Sequence, residues 1–264
     1  MKALVTGSAG FIGRHMANVL EERGWQVDGC DPVHRPTMDA LEGFRLHPTR
    51  YDLVVHAAAR SPHRAAIDTQ PAAHIYNRLL DAAMFDWAVR TGQGHVLYFS
   101  SCAVLDAYPD EYGLNKLAGE QLAASARKAG LPVTVVRPFS GYGEDQSEDF
   151  PFGAFVARAK RREDPFPLWN ANAVRDWIHV HDVVAGALAV VESGTEVPVS
   201  LCTGIGTAAG DVARMVCEAA GYEPEFKATG EHAGVNWRVG DPAEMLQYYT
   251  PKVSLAEGIR RAFA

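Results

Sequence analysis

Tyr112-Gly113-Leu114-Asn115-Lys116 sets a phenol and an ammonium four residues apart. On a helix that spacing puts both on one face, where a cation stabilises a phenolate against its phenol. Such a pair can take a proton from a hydroxyl while hydride leaves the same carbon. The hydride needs an acceptor, and the start of the chain has the residues to hold one. Thr6-Gly7-Ser8-Ala9-Gly10-Phe11-Ile12-Gly13 follows a short apolar run, Ala3 to Val5, and opens a helical pattern carrying Met16, Val19 and Leu20. Gly7 permits the tight turn, Gly10 lets the backbone approach a pyrophosphate, and Gly13 lets the helix pack against the strand. The free N–H groups of the helix start then face the negative charge. Either motif alone is weak: Tyr-x-x-x-Lys is common by chance, and a glycine turn joins many strands to helices.

The elements that must position these groups alternate along the chain. A second strand, 25–30, ends at Asp31. That carboxylate stands close to the ~20 residues past the glycines at which an acidic group meets the ribose hydroxyls and repels a 2′-phosphate. NAD is therefore favoured over NADP, although His34 and Arg35 follow and could contact a phosphate. Phe44-Arg45-Leu46 is a weak strand signal, and 52–56 a strong buried strand ending in Ala57-Ala58-Ala59, small residues that suit close passage of a cofactor or simply tight packing. A long helix is expected over 70–90, with Pro71 near its start and Gly92 beyond its end. Strand 95–99 opens into Ser100-Ser101-Cys102, helix 112–128 is ended by Gly130 and Pro132, and strand 133–136 closes in Arg137-Pro138-Phe139-Ser140. Strands alternating with helices make a parallel sheet covered on both faces the economical α/β architecture. After Gly143 comes an acidic loop, 144–149, then helical signals at 152–161, 183–192, 207–220 and 255–263, with Trp169 closing a proline-rich stretch between the first two.

The 264 residues are 47% hydrophobic, enough to bury one large domain, or one domain with a small appended lobe. A net charge of −7 argues against a general nucleic-acid binder. The basic cluster Arg158, Lys160, Arg161 and Arg162 is followed by Glu163 and Asp164 and reads as a solvated helix face. Cys30, Cys102, Cys202 and Cys217 are far apart and form no metal-spaced pair, which fits reduced thiols in a cytoplasmic protein. Met1-Lys2 leads straight into the first strand, so no signal peptide is expected. No apolar run approaches the ~18–20 residues of a membrane span.

In this setting the chain resembles the extended short-chain dehydrogenase/reductases, specifically the NAD-dependent nucleotide-sugar epimerase/dehydratase family, over nearly its whole length. The opening glycine segment, Val54-Val55-His56-Ala57-Ala58 and Tyr112-x-x-x-Lys116 carry the likeness in the first half. Arg137-Pro138-Phe139 with Tyr142-Gly143, Val174-Arg175-Asp176-Trp177-Ile178-His179-Val180-His181-Asp182-Val183, and the closing segment 251–259 carry it in the second. The resemblance implies a doubly wound, Rossmann-type parallel sheet over 1–143, to which about 174–192 return, and a small C-terminal substrate-binding lobe over 144–264. It implies NAD contacts from Gly7, Ala9, Gly10, Phe11, Ile12 and Gly13, from Asp31, and from Ala57, Ala58 and Ala59. Asn77, Ser100, Tyr112, Lys116, Pro138 and Phe139 complete that set. On the substrate side it implies Arg175 as the clamp of a sugar-nucleotide diphosphate, with Ser61, Cys102, Ser140 and Trp169. His179-x-His181-Asp182 could pass for metal ligands, since strand residues two apart share a face; the resemblance makes it a structural strand running into a helix, and no metal is expected.

The departures from the family bear on the reaction. Its third catalytic position is a serine or threonine, and here it falls on Cys102. A thiol is a poorer hydrogen-bond partner for a sugar hydroxyl than an alcohol. Three explanations stand: Cys102 takes the role, Ser101 substitutes by a shifted register, or the activity has changed. The segment from Cys102 to Tyr112 is about half the family's usual length, and Asp110 and Glu111 precede Tyr112, able to reach the site or simply to favour the helix start. Ser140 replaces a frequent asparagine, and near 231–233 a usual arginine is missing, with Arg238 a possible replacement. Ala103-Val104 stand where the family's 4,6-dehydratases have an acidic pair, which speaks against elimination chemistry. The expected activity is epimerisation of a UDP-, dTDP- or GDP-linked sugar at C4, with Tyr112 as base and NAD regenerated each cycle. A net reductase or dehydrogenase with exchangeable NAD(P)H is the same-fold alternative, and a catalytically silent NAD sensor the alternative of another class. A homodimer through the helices 70–90 and 112–128 is expected.

Overall fold

In the computed structural model, residues 1–31, 44, 49–60, 71–230 and 235–264 are described. The chain divides into two compact units, Met1–Arg137 with Ala187–Val199, and Pro138–Gly186 with Ser200–Ala264. In the first unit β1 (Lys2–Thr6) pairs in parallel with β2 (Gln26–Cys30) on one side and with β3 (Leu53–His56) on the other. β4 (Val96–Phe99) and β5 (Val133–Pro138) extend the sheet in parallel, giving the order β2-β1-β3-β4-β5-β9, where β9 is Val199–Leu201. The order reverses at β1, and in such sheets a ligand binds outside the carboxyl ends of the strands at that switch point. β3 and β4 are buried at every position, as continuous apolar runs covered on both faces must be. Among its described residues the unit has the long helices α1 (Phe11–Glu22), α2 (Pro71–Thr91) and α3 (Glu111–Lys128). α1 buries Gly13, Met16 and Leu20, one stripe at helical spacing. The core joins Val54, Val96 and Tyr98 of the sheet to Leu80, Met84 and Trp87 of α2 and Ala123 and Ala126 of α3. Phe44, read from the sequence as part of a strand, is instead helical and packs on Trp87 with ring centroids 5.4 Å apart; burying a large aromatic outweighs its local β preference.

The second unit contains α4 (Pro151–Lys160), β7 (Phe166–Trp169), α6 (Ala209–Ala219), β11 (Phe226–Gly230) and α7 (Leu255–Arg261). Its central strand is β8 (Val174–His179), which pairs in parallel with β6 (Ser140–Tyr142) and β12 (Trp237–Arg238) and antiparallel with β10 (Gly206–Ala208). β8 runs directly into α5 (Val180–Ser193), and the chain re-enters the first unit along that helix at Ala187. The return starts later than the expected 174 because β8 is committed to its three partner strands in the second unit. Phe152, Phe155, Phe166, Trp177, Val212 and Val216 form this unit's core. At roughly 1.5–3 kcal/mol for each fully buried large apolar side chain, that core is ample for a compact unit. Among the described residues no helix is long and apolar enough to cross a membrane, and none of the four cysteines is in a disulfide.

Candidate active site

The glycine turn sits at the carboxyl end of β1. Gly7 takes φ +71°, and a Cβ there would stand 2.8 Å from the Ala58 backbone, so the turn and the end of β3 close on one another through glycine. A Cβ on Gly13 would overlap the Gly7 carbonyl oxygen. Gly10 is the N-cap of α1 and makes no side-chain cap, leaving first-turn N–H groups to an anion. The Asp31 carboxylate accepts from the Ala9 N–H at 3.3 Å, inside the turn. Ser8 Oγ is buried with no hydrogen-bond partner among the described residues, a state that ligand binding ordinarily resolves. A cradle that a Cβ would fill, an open helix start, an orphaned hydroxyl and a carboxylate beside it fit a dinucleotide. Gly7 to Gly13 are suited to hold its diphosphate, and Asp31 its ribose hydroxyls. Asn77, also expected at the cofactor, gives its amide to the chain after Ala59: Oδ1 accepts from the Arg60 N–H and Nδ2 donates to the Arg60 carbonyl, both at 2.8 Å. It holds the loop that passes the turn. Ser61, His34, Arg35 and 231–233 lie outside the described residues.

Tyr112 and Lys116 occupy the first turns of α3. The helix starts where it does because Asp110 Oδ1 accepts from the Gly113 N–H at 2.9 Å, an N-cap worth about 1 kcal/mol. Glu111 pairs with Arg78 at 3.2 Å. Asp110 therefore serves the helix start, and Glu111 ties that start to α2. Lys116 Nζ donates to the Phe99 carbonyl at 2.8 Å, so the ammonium is anchored to the end of β4. Ser100, next along, donates to Glu120 Oε1 at 2.5 Å, and Arg137 grips the same carboxylate at 2.8 and 2.6 Å. The Ser101 hydroxyl accepts from the Ala103 N–H at 3.2 Å and caps a short 3-10 turn, Cys102–Leu105. Cys102 opens that turn and is buried.

Behind the pair lies a polar chain that sequence reasoning missed. Thr6 Oγ1 meets His56 Nδ1 at 2.8 Å, His56 Nε2 meets Asp81 Oδ1 at 3.0 Å, and the Tyr98 hydroxyl donates to Asp81 Oδ2 at 2.6 Å. Burial alone would raise the Asp81 carboxyl, but the His56 hydrogen bond, the Lys116 charge and the Tyr98 phenol together hold it below the usual carboxylate range. Burial first, then Asp81, pushes the Tyr98 phenol well above its ordinary value. The signal in the sequence was a polar residue at a buried position of an apolar run, as His56 is after Leu53-Val54-Val55.

The second unit holds the other candidate residues. Arg175 lies on β8 in register with Thr207 and Arg238, so the arginine weighed as a replacement stands directly beside it. Its guanidinium donates to the Val174 and Val235 carbonyls, each at 2.8 Å. Ser140 pairs with Trp177, two residues along β8 from Arg175. Trp169 is partly exposed at the end of β7, in register with Gly230 in a separate small sheet. Phe139 is buried, its N–H donating to Leu201 at 3.0 Å, and Pro138 ends β5 just before it. His179 and Asp182 are held within the fold: His179 by Glu144 at 3.0 Å, Asp182 by the Tyr249 hydroxyl at 2.7 Å and two backbone N–H groups at 2.9 Å. Among the described residues no group of ligating side chains could hold a metal.

Residues 3–200 match the family described as the NAD dependent epimerase/dehydratase family. GDP-6-deoxy-D-talose 4-dehydrogenase of Aggregatibacter actinomycetemcomitans is 27% identical over 93% of this chain and 90% of that protein. UDP-glucose 4-epimerase of Corynebacterium glutamicum is 28% identical over 93% of this chain and 87% of that protein. Among solved structures, UDP-glucose 4-epimerase of Thermus thermophilus in complex with NAD has a TM-score of 0.85 at 23% identity, covering 99% of this chain and 97% of that one. That last likeness is one of fold.

Proposed function

The chain belongs to the NAD-dependent epimerase/dehydratase family, with NAD as its cofactor, and we propose that it epimerises a nucleoside-diphosphate sugar at C4. Held by the turn Gly7 to Gly13 and by Asp31, NAD would supply the acceptor and donor of the hydride that leaves the sugar carbon and comes back on its opposite face. The chain's own groups do the rest. Tyr112 takes the proton of the sugar hydroxyl and gives it back, and Lys116 steadies the phenolate charge. Asp31 holds the cofactor ribose, and the glycine turn its diphosphate. Arg175, with Arg238 beside it, is suited to the substrate diphosphate by its planar set of donors. The observation that carries this reading is the anchoring of Lys116: its ammonium is fixed to the Phe99 carbonyl, one helical turn from Tyr112 on the same face of α3. Ser101 has its hydroxyl in a backbone cap, which supports Cys102 as the group facing the reacting hydroxyl.

A net dehydrogenase or reductase on the same site is the second reading, and the relative named as a 4-dehydrogenase favours it. Incubating the purified chain with UDP-, dTDP- and GDP-hexoses separates the two. Interconversion of C4 epimers, followed by proton magnetic resonance with no net change in the near-ultraviolet absorbance of reduced nicotinamide, is the result expected. Stoichiometric absorbance change would replace the first reading by the second, and absence of any conversion with added NAD would remove both.

A further inference from the structure

Asp81 has no part in the chemistry just described, yet it is a buried carboxylate on which the Lys116 charge acts. It is 5% exposed, and a carboxylate in that position is costly unless it is hydrogen-bonded and matched by an opposite charge. His56 and Tyr98 supply the hydrogen bonds, at 3.0 and 2.6 Å. With the proton on Nε2, the His56 ring donates to Asp81 and accepts from Thr6 at Nδ1. The matching charge lies across the Tyr98 ring. Lys116 Nζ is 5.2 Å from the centroid of the ring whose hydroxyl binds Asp81. α3 bears directly on this arrangement, because a Cβ on Gly119 would overlap the Tyr98 hydroxyl and come within 2.8 Å of Asp81 Oδ2. Glu120, the other acidic group near the ring, is already engaged by Arg137 and Ser100.

We infer that Asp81 is the counter-charge of Lys116: a positioning residue that, through Tyr98, sets how strongly the ammonium stabilises a phenolate at Tyr112. The inference rests on the reading of Tyr112 and Lys116 as base and cation. The carboxyl held low despite burial, and the Tyr98 phenol held protonated, agree with one fixed negative charge behind the ammonium. The charged and titratable groups that face the pair are Asp81 from α2, His56 from β3, Tyr98 from β4, and Lys116 and Glu120 from α3. Removing the Asp81 charge frees the ammonium to act on Tyr112 alone. Removing the Tyr98 hydroxyl does the opposite, since Asp81 then loses a donor that shares its charge.

The test follows tyrosinate absorbance against pH in the full chain and subtracts the same titration of a Tyr112→Phe background. Asp81→Asn is expected to move the Tyr112 transition to lower pH by about one unit, and Tyr98→Phe to move it to higher pH by roughly half a unit. A purely structural network would shift neither, or both in one direction through loosened packing; either result overturns the inference. Should Asp81→Asn fail to fold, the sign of the Tyr98→Phe shift decides alone. The pH profile of kcat in the same variants should follow the titration. A wild type that turns over no nucleotide sugar but shows the opposed shifts sinks the proposed reaction and keeps this inference. Turnover without the shifts does the reverse.

Discussion

The helix start that sets Tyr112 and Lys116 one turn apart was legible from spacing and context, and Asp110 caps it. Replacing Tyr112 by Phe should abolish turnover and leave NAD affinity within about twofold, because only the proton-transferring hydroxyl goes; isothermal titration with NAD beside an epimer assay checks this. Cys102 is the residue on which the sequence left three explanations open. With the Ser101 hydroxyl held by the Ala103 N–H, Cys102→Ser should raise kcat several-fold by restoring a stronger hydrogen-bond donor and acceptor. Ser101→Ala should cost about 1 kcal/mol of stability through the lost cap and leave kcat nearly unchanged. A collapse of kcat in Ser101→Ala would hand the role to Ser101. Asn77 and Asp81 were harder to read. Asn77 acts on the backbone of Arg60, and Asp81 on groups from strands far away in sequence. Such partners exist only once the sheet has formed.

The strand–turn–helix at the chain start is an element whose type its glycines announce, and the structure adds what each one avoids. A Cβ on Gly13 has nowhere to go against the Gly7 carbonyl, so Gly13→Ala should cost roughly 1–3 kcal/mol and weaken NAD binding at least tenfold, read by urea unfolding and by quenching of tryptophan fluorescence. β8 was legible as a strand entering a helix, but its buried His179 has a consequence that only packing reveals. Burial pulls the His179 imidazole below its ordinary 6.5, with His181 and Arg261 adding to that and Glu144 working against it. Between that folded value and 6.5 the unfolded chain binds a proton the folded chain does not, so stability is full above pH 6.5 and falls as acid is added. Glu144 adds a second loss below the ordinary carboxyl value of 4.5. Its burial would raise it, but its backbone N–H and the His179 and His181 rings outweigh that. His95, lowered by burial and then by Arg127, contributes in the upper window. The melting temperature should therefore decline from about pH 6.5 downward, and His179→Gln should flatten the upper part of that decline and shrink the part below 4.5, where Glu144 keeps only its backbone N–H and the His181 ring.

At the scale of the whole molecule, alternating strands and helices were enough to read a parallel sheet in the first unit, because parallel neighbours such as β4 and β5 need a helical crossover like α3 between them. The second unit was not legible in the same way. The partners of β8, namely β6, β10 and β12, are short and come from segments well separated along the chain, so no local pattern marks them as one sheet. The association of chains belongs to this scale too. α2 and α3 pack against each other, tied by Asn115 Nδ2 donating to the His74 carbonyl at 3.2 Å. On α2 the outward aliphatics Ile75 and Leu79, 62% and 52% exposed, stand one helical turn apart. Leu114 and Leu117, also exposed, share a face of α3. Aliphatic side chains grouped on two adjacent helices are what an isologous interface buries when two copies meet face to face. We expect a homodimer through this surface, with light scattering after size exclusion giving twice the chain mass. Leu79→Arg would place a charge in the middle of the face and should yield a monomer that still binds NAD, since the glycine turn and Asp31 are untouched. If the wild type elutes as a monomer at micromolar concentration, the paired helices do not serve self-association. If Leu79→Arg remains a dimer, the interface lies elsewhere on the molecule.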